Sequence, residues 1–566
     1  MSRSTPSVLE RIDSVLPIIA ALTVISLIAR LVFLDLRIAH WDEGRVAFGI
    51  LRYQATGMWE YRPIVHGPFL PQTNKFVFEF LGPTDANARL IVAIIGGLLP
   101  LAAWLYRDHL RDVEVVGLAA LLTLDPILLY YSRFMRNDVL TAGFVLIAVG
   151  MFLRLIETRH QRYLYGGVGA FALAFTTKEN ALLYVLCLLG GLVLLADHRL
   201  FLNRKGTSWL NQLWRYIVRA AYGIWHVRWA VVVAVIEFLL IIVYFYAPRG
   251  GTGGVPGLWT AIGQPTLLPT VVWEATYGSA DKLVDLWING DHQDHAYLPF
   301  LASYLKDLGV ASGSIAFLAV IGFLTDRYSG DRPRDIVALG FYWGVVSVLG
   351  YPIVTDIRAA WTVIHAIVPL MLPAVAGLAL FYDWGREAHA DNDRIGVALT
   401  AVVVLFLLGQ LAATGVSTSY LHPQSQDNPL VQFAQPEGQM RPALNAIKES
   451  APEHDGTDVI WYGEHYNMTD ESKADTLPVS GGNWYNRLPM PWYLEAYGAT
   501  RKSTIEEEQL IRWVEEEQPP VVLTRIENRA PISRQLDGYE SYTYEFRQFN
   551  EEIVFFIRDR YAPPAG

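Results

Sequence analysis

Hydrophobic residues run through most of this chain in long unbroken stretches, and the polar residues between them fall into short clusters. A bilayer core of about 30 Å takes about 20 helical residues to cross. Runs able to do this lie at about 15–35, 87–106, 113–131, 138–156, 163–177, 180–196, 229–247, 308–324, 336–354, 361–382 and 395–415. The pattern predicts an α-helical polytopic membrane protein of about eleven transmembrane helices, spread over residues 1–415. Its first run is longer than the core of a signal peptide, contains Arg30 and is followed by Leu34-Asp35-Leu36-Arg37 instead of small residues, so it reads as a retained anchor.

From residue 416 the pattern changes. Short apolar stretches such as Asp458-Val459-Ile460-Trp461 and Pro520-Val521-Val522-Leu523 lie among helix-like runs at 439–450 and 503–517. Residues 416–566 are therefore expected to form a small soluble α/β domain. The runs Glu506-Glu507-Glu508 and Glu515-Glu516-Glu517 suit the wet face of one of its helices, and Asn467-Met468-Thr469 is its only glycosylation sequon.

Basic residues in short loops mark the cytoplasmic side. If Arg3 and Arg11 are inside, the inner loops hold Arg107 and Arg111, Arg159 and Arg162, the cluster from Arg199 to Arg228, Arg327 to Arg334, and Arg386 with Arg394. Outer loops then lie at about 36–86, 132–137, 248–307 and 355–360, and the tail is extracytoplasmic. A multi-pass protein of the plasma membrane is expected.

Composition supports this and removes several function classes. The chain is 52% hydrophobic with a mean hydropathy of +0.26, too apolar for a soluble protein of 566 residues. Acidic residues outnumber basic ones 55 to 45, and only eight lysines occur, a bias seen in salt-adapted and GC-rich organisms. With no basic tract, nucleic acid is not a partner. The single cysteine, Cys187, lies in an apolar run and offers no disulfide, Cys-zinc site or thiol chemistry.

Candidate chemistry concentrates in the outer loops. The first opens His40-Trp41-Asp42-Glu43-Gly44-Arg45, with two adjacent carboxylates where the first span emerges. Such a carboxylate can act as general base toward a hydroxyl or hold a divalent metal, although alone the pair would read as a solvated helix end. Two later turns carry Arg133, Arg136 and Asp138, and Lys178 with Glu179. An ionisable group costs ~2.5–3.5 kcal/mol at mid-membrane and less near the edge, so it is usually paired or functional. Such a basic cluster suits a phosphate or pyrophosphate. Interfacial snorkelling explains the bases alone but not the carboxylates beside them.

The succession Trp41-Asp42-Glu43, Gly57-x-Trp59-x-Tyr61, His66-Gly67-Pro68-Phe69, Asn87-Ala88-Arg89, Ser132-Arg133 to Asp138, and Lys178-Glu179 resembles the GT-C superfamily of polyprenyl-phosphate-dependent glycosyltransferases. Protein O-mannosyltransferases, the lipid A aminoarabinose transferase and the archaeal and bacterial flippase-activity-associated membrane proteins belong there, and the last are the most similar. Tyr351-Pro352 through Asp356, Arg358, Trp361 and His365 to Pro369 resembles the superfamily's Glu-Lys-x-Pro-Trp motif, with Arg358 in place of its lysine and Ala360 in place of its proline. Pro489-Met490-Pro491-Trp492-Tyr493-Leu494 resembles a segment common in the outer domains.

The resemblance implies inverting transfer of a sugar from a polyprenyl (dolichyl) phosphate carrier to a protein, glycan or lipid acceptor. Asp42 or Glu43 would activate the acceptor hydroxyl, and Arg133, Arg136, Lys178 and Arg358 would hold the lipid phosphate. Asp138, Glu179, His66 and Arg45 would support them, the plainer reading being that Arg45 only pairs with Glu43 and that His66 is a structural loop residue. No cofactor follows beyond a divalent metal, for which Asp42 and Asp138 are the option. The competing reading is a flippase-associated or transport protein that handles the lipid-linked sugar without transferring it. An acidic pair at the exit of the first span favours the transferase, because moving an anionic lipid gains nothing from it.

Three other clusters read more plainly. Pro248-Arg249-Gly250-Gly251-Thr252-Gly253-Gly254 is a hinge, Gly290-Asp291-His292-Gln293-Asp294-His295-Ala296-Tyr297 reads as a polar loop ahead of its alternative as a metal site, and Ala388 to Arg394 is a solvated turn.

Overall fold

The computed structural model describes residues 8–63, 67–178, 181–201, 214–215, 218–219, 222–223, 225, 227–251, 254–290, 295–329, 333–355, 358–475, 477–479, 482–547 and 551–563. All eleven apolar runs are helical in it. They correspond to α1 (Val8–Leu31), α4 (Asp85–Leu98, extended to Tyr106), the pair α5 (Asp112–Leu124) and α6 (Pro126–Ser132), α7 (Asp138–Thr158), α8 (Gln161–Thr177), α9 (Ala181–Phe201), α10 (Arg228–Tyr246), α11 (Tyr297–Ser329), α12 (Asp335–Val354), α13 (Ile364–Ala390) and α14 (Arg394–Val416). Among the described residues, eight are long and apolar enough to cross a membrane unaided, and the α5–α6 pair, bent by 51°, makes a ninth. The remaining two, α8 and α9, are shorter as apolar segments: α8 has 17 residues and α9 is apolar over Ala181–Asp197. The segment between α1 and α4 folds into α2 (Trp41–Thr56) and α3 (Phe69–Leu81).

The outward faces of α10 and α14 expose Val235, Leu239, Leu399, Val402 and Phe406, as helices bathed in lipid must. Inside, α11 and α13 pack most closely. A Cβ on Gly322 would meet the Pro373 carbonyl and one on Gly377 the Leu318 carbonyl, so only glycine lets these backbones approach. The α5–α6 bend is set by Pro126, which cannot continue the ladder, and by Asp125, whose Oδ1 accepts from Leu128 N at 2.8 Å. Arg30 fills the break. It donates to Ser132 Oγ at 3.1 Å, Ser26 Oγ at 2.6 Å and the Leu122 carbonyl at 3.0 Å, which explains how an arginine is tolerated in the first span.

The C-terminal region carries one five-stranded sheet of order β2-β1-β3-β5-β4, formed by β1 (Val459–Tyr462), β2 (Arg501–Thr504), β3 (Val521–Arg525), β4 (Tyr539–Arg547) and β5 (Glu551–Arg558). Parallel β1 lies between β2 and β3, and β5 runs antiparallel to both β3 and β4. The central strands are buried on both faces, which is why they read as unbroken apolar runs. In the segment expected to be a hinge, Arg249 is instead buried and pinned to Trp59 by two backbone hydrogen bonds of 2.7 and 3.0 Å.

Candidate functional site

Helix α2 is capped at its start by His40, a single loop away from α1. The His40 Nδ1 accepts from Asp42 N at 3.0 Å, and the Glu43 carboxylate accepts from His40 N at 2.9 Å, a reciprocal cap that fixes both acidic side chains at the first turn. The His40 Nε2 lies 2.7 Å from the Phe433 carbonyl and donates to it. Burial pushes this imidazole below its ordinary 6.5 despite the Asp42 carboxylate nearby, so it is neutral, as this hydrogen bonding requires.

The two carboxylates then part company. Glu43 turns inward and is only 2% exposed. Its Oε1 accepts from Arg89 Nε at 2.8 Å, Arg37 Nη2 at 3.1 Å and Met135 N at 2.7 Å, and its Oε2 from Arg89 Nη2 at 2.9 Å. Burial alone would raise this carboxyl, but the charges of Arg37 and Arg89 hold it far below its ordinary 4.5. Glu43 is a saturated structural anion. Arg45, expected beside it, instead lies over the rings of Trp41 and Tyr485, 5.6 and 5.1 Å from their centroids.

Asp42 faces the other way, into a cavity of about 590 Å³ that it lines with Asp307, Arg358, Trp361, Gln432 and Arg547. Behind it, Arg136 Nη1 donates to Asp42 Oδ2, and Arg136 Nε reaches Asp138 Oδ2 at 3.3 Å. The guanidinium lies over the Trp361 ring at 3.8 Å. Asp138 is fully buried and also takes Lys178 Nζ at 2.7 Å and His365 Nε2 at 3.2 Å. A chain of alternating charge therefore runs from Lys178 through Asp138 and Arg136 to Asp42, and only its last member opens to the cavity. No metal fits between Asp42 and Asp138, because the Arg136 guanidinium occupies that place. Among the described residues no three potential ligands converge elsewhere.

Arg133 is brought near this chain but points away from it. Its guanidinium donates to the carbonyls of Ala29, Arg30, Val32 and Phe33 at 2.6–3.2 Å, and lies 4.5 Å from the Tyr420 ring centroid. It caps the end of α1, whose last carbonyls have no partner within the helix, and its donors are not free for a phosphate. Replacing it, Arg133→Gln, is expected to lower the thermal midpoint of the detergent-solubilised chain while leaving undecaprenyl-phosphate binding unchanged. His66, Glu179 and Asp356 lie outside the described residues, as do Asp291, His292 and Asp294.

Four cavity or anchor residues escaped the sequence reading. Arg37 carried a weak signal, a basic residue at the end of the first span that the loop charges assign to the outside, where arginine is depleted. Asp307, Gln432 and Arg547 carried none, because they arrive from α11, the link after α14 and β4.

Comparison with known proteins adds the following. Residues 65–225 match the family model of dolichyl-phosphate-mannose-protein mannosyltransferases, and residues 440–558 that of the Agl23 flippase-associated protein C-terminal domain. No curated protein matches the chain. Among solved structures, ArnT from Cupriavidus metallidurans bound to undecaprenyl phosphate is similar over 98% of this chain and 100% of its own, with a TM-score of 0.54 at 14% identity. Its apo state gives 0.51 at 15% identity over 97% and 99%. The Archaeoglobus fulgidus oligosaccharyltransferase tethered with an acceptor peptide gives 0.50 at 13% identity, over 95% of this chain and 75% of that one.

Proposed function

We propose that this chain, which has the fold of the GT-C membrane glycosyltransferases, transfers a sugar from a polyprenyl phosphate to an acceptor hydroxyl, with Asp42 as the base. The observation that carries the reading is that the Asp42 carboxylate opens into the same cavity as Arg358 while Arg136 holds it from behind. Asp42 takes the hydroxyl proton as the acceptor oxygen attacks the anomeric carbon. The bond from that carbon to the phosphate oxygen breaks, and the phosphate leaves with the electron pair. A phosphate monoester needs its growing charge stabilised more than it needs a proton, and Arg358, exposed at the cavity wall, is placed to supply that. Arg136 and Lys178 act one step back: bound to Asp42 and Asp138, they keep the base ionised and oriented and add positive potential behind Trp361.

The cavity gathers residues from the first outer segment, the 355–360 segment and the C-terminal region, which requires all three to lie on one side of the membrane. That supports the sidedness read from the basic loops, with the reaction on the outer face. The match to a mannosyltransferase model and the carrier lipid named for ArnT support the donor class.

The test is transfer of radiolabelled hexose from dolichyl phosphate to endogenous acceptors by membranes expressing the chain, with undecaprenyl-phosphate binding measured in parallel. Arg358→Gln is expected to raise KM for the lipid donor about tenfold or more, the loss of one charge-assisted contact. Binding of the carrier with no transfer under any condition would leave carrier handling, the flippase-associated reading, in its place.

A further inference from the structure

The structure holds a second cleft that shares Tyr485 with the cavity of Asp42. It encloses about 170 Å³ and is walled by Trp59, Tyr61 and Trp484, with Tyr485 shared by both spaces. Trp41 lines the cavity of Asp42, and its indole Nε1 donates to the carbonyl of the shared Tyr485 at 3.0 Å.

Four charged side chains line this cleft: Arg45, Arg52, Arg62 and Glu60. Arg52 is committed to Asp475 at 3.3 Å and to Glu495, and Arg62 to Glu60 at 3.3 Å. Arg45 differs. No carboxylate among the described residues pairs with it, and two aromatic rings hold its guanidinium by their faces, which leaves its N–H edge free. An arginine so mounted presents a fork that fits a carboxylate with two parallel hydrogen bonds. The aromatic walls around it suit the apolar faces of a sugar ring.

We propose that this cleft binds an acidic saccharide on the acceptor, with Arg45 taking its carboxylate. This rests on the transferase reading above, because it gives that site its acceptor class. Arg45 follows Asp42 by three positions on α2, and such residues are neighbours on a helix surface. At that spacing Cβ atoms are about 5–6 Å apart, so an acceptor anchored at Arg45 is held on the part of α2 that carries Asp42. Arg358 lines the larger cavity and Arg45 the cleft, so the lipid phosphate and the acceptor's acid have separate arginines.

The test uses equilibrium dialysis of methylumbelliferyl glucuronide and methylumbelliferyl glucoside against the full chain in nanodiscs, beside undecaprenyl-phosphate binding. The wild-type chain is expected to bind the glucuronide about tenfold more tightly, as one charge-assisted pair provides. Arg45→Gln should abolish that preference and Arg45→Lys should keep part of it, with undecaprenyl-phosphate binding unchanged in both. Equal affinity for the two glycosides in the wild type, or a preference that survives Arg45→Gln, would overturn the assignment. So would loss of carrier binding in Arg45→Gln, which would give Arg45 to the lipid phosphate instead. A wild-type chain that prefers the glucuronide but does not bind undecaprenyl phosphate would keep the acid-binding cleft and remove the transferase reading.

Discussion

Asp42→Asn is expected to lower sugar transfer about 10²–10⁴-fold, the contribution of a positioned general base, while undecaprenyl phosphate still binds. Asparagine preserves the shape of the side chain and can still accept a hydrogen bond from Arg136. It cannot take a proton. The loss should therefore fall on kcat, with KM for the lipid donor little changed, because the proposed role of Asp42 is toward the acceptor hydroxyl and not the phosphate. Turnover in single-round assays with saturating donor reads this directly. Retained turnover would remove Asp42 as the base and turn attention to Asp307, the other carboxylate lining the cavity.

Glu43→Gln should fail in a different way. The charges of Arg37 and Arg89 are buried and share this one carboxylate, with N–O distances of 2.8–3.1 Å. Removing it strands two guanidinium groups where water does not reach, a change that costs roughly 3–5 kcal/mol when one partner of a buried pair is lost. The expected result is a large drop in the thermal midpoint and in the yield of folded protein. Acid should reproduce part of it. The Glu43 carboxyl is held below its ordinary 4.5, so the unfolded chain binds the extra proton first. Its stabilisation is complete above that pH and drains away as pH falls beneath it. A Glu43→Gln chain that melts like the wild type would mean the two arginines have other anions.

The pair Asp42-Glu43 illustrates what adjacency in sequence leaves open. Neighbouring residues on a helix point about 100° apart, so one carboxylate can enter a cavity while the other enters the protein interior. Which does which depends on where α4 delivers Arg89 and where the α1 exit delivers Arg37. The same holds for Arg133 and Arg136, three positions apart in one turn. One caps α1 and the other ties Asp42 to Asp138, and no local pattern separates a guanidinium that meets four carbonyls from one that meets two carboxylates.

The sequence by itself determined the helices and the region of the chemistry. Apolar runs long enough to cross a bilayer have few alternatives in lipid, where every backbone group must find its partner within the segment. All eleven predicted runs are helical, and the strands expected near 459 and 521 form in the C-terminal sheet. Charged residues at the ends of apolar runs are costly enough to mark themselves, which singled out Asp42, Arg136, Asp138 and Lys178. The tertiary structure alone decided the order of those charges, the place of Glu43 outside the cavity, and the arrival of Asp307, Gln432 and Arg547 at its wall. Those outcomes follow from contacts between segments hundreds of residues apart, such as Arg136 with Gln432, and no periodicity along the chain encodes them.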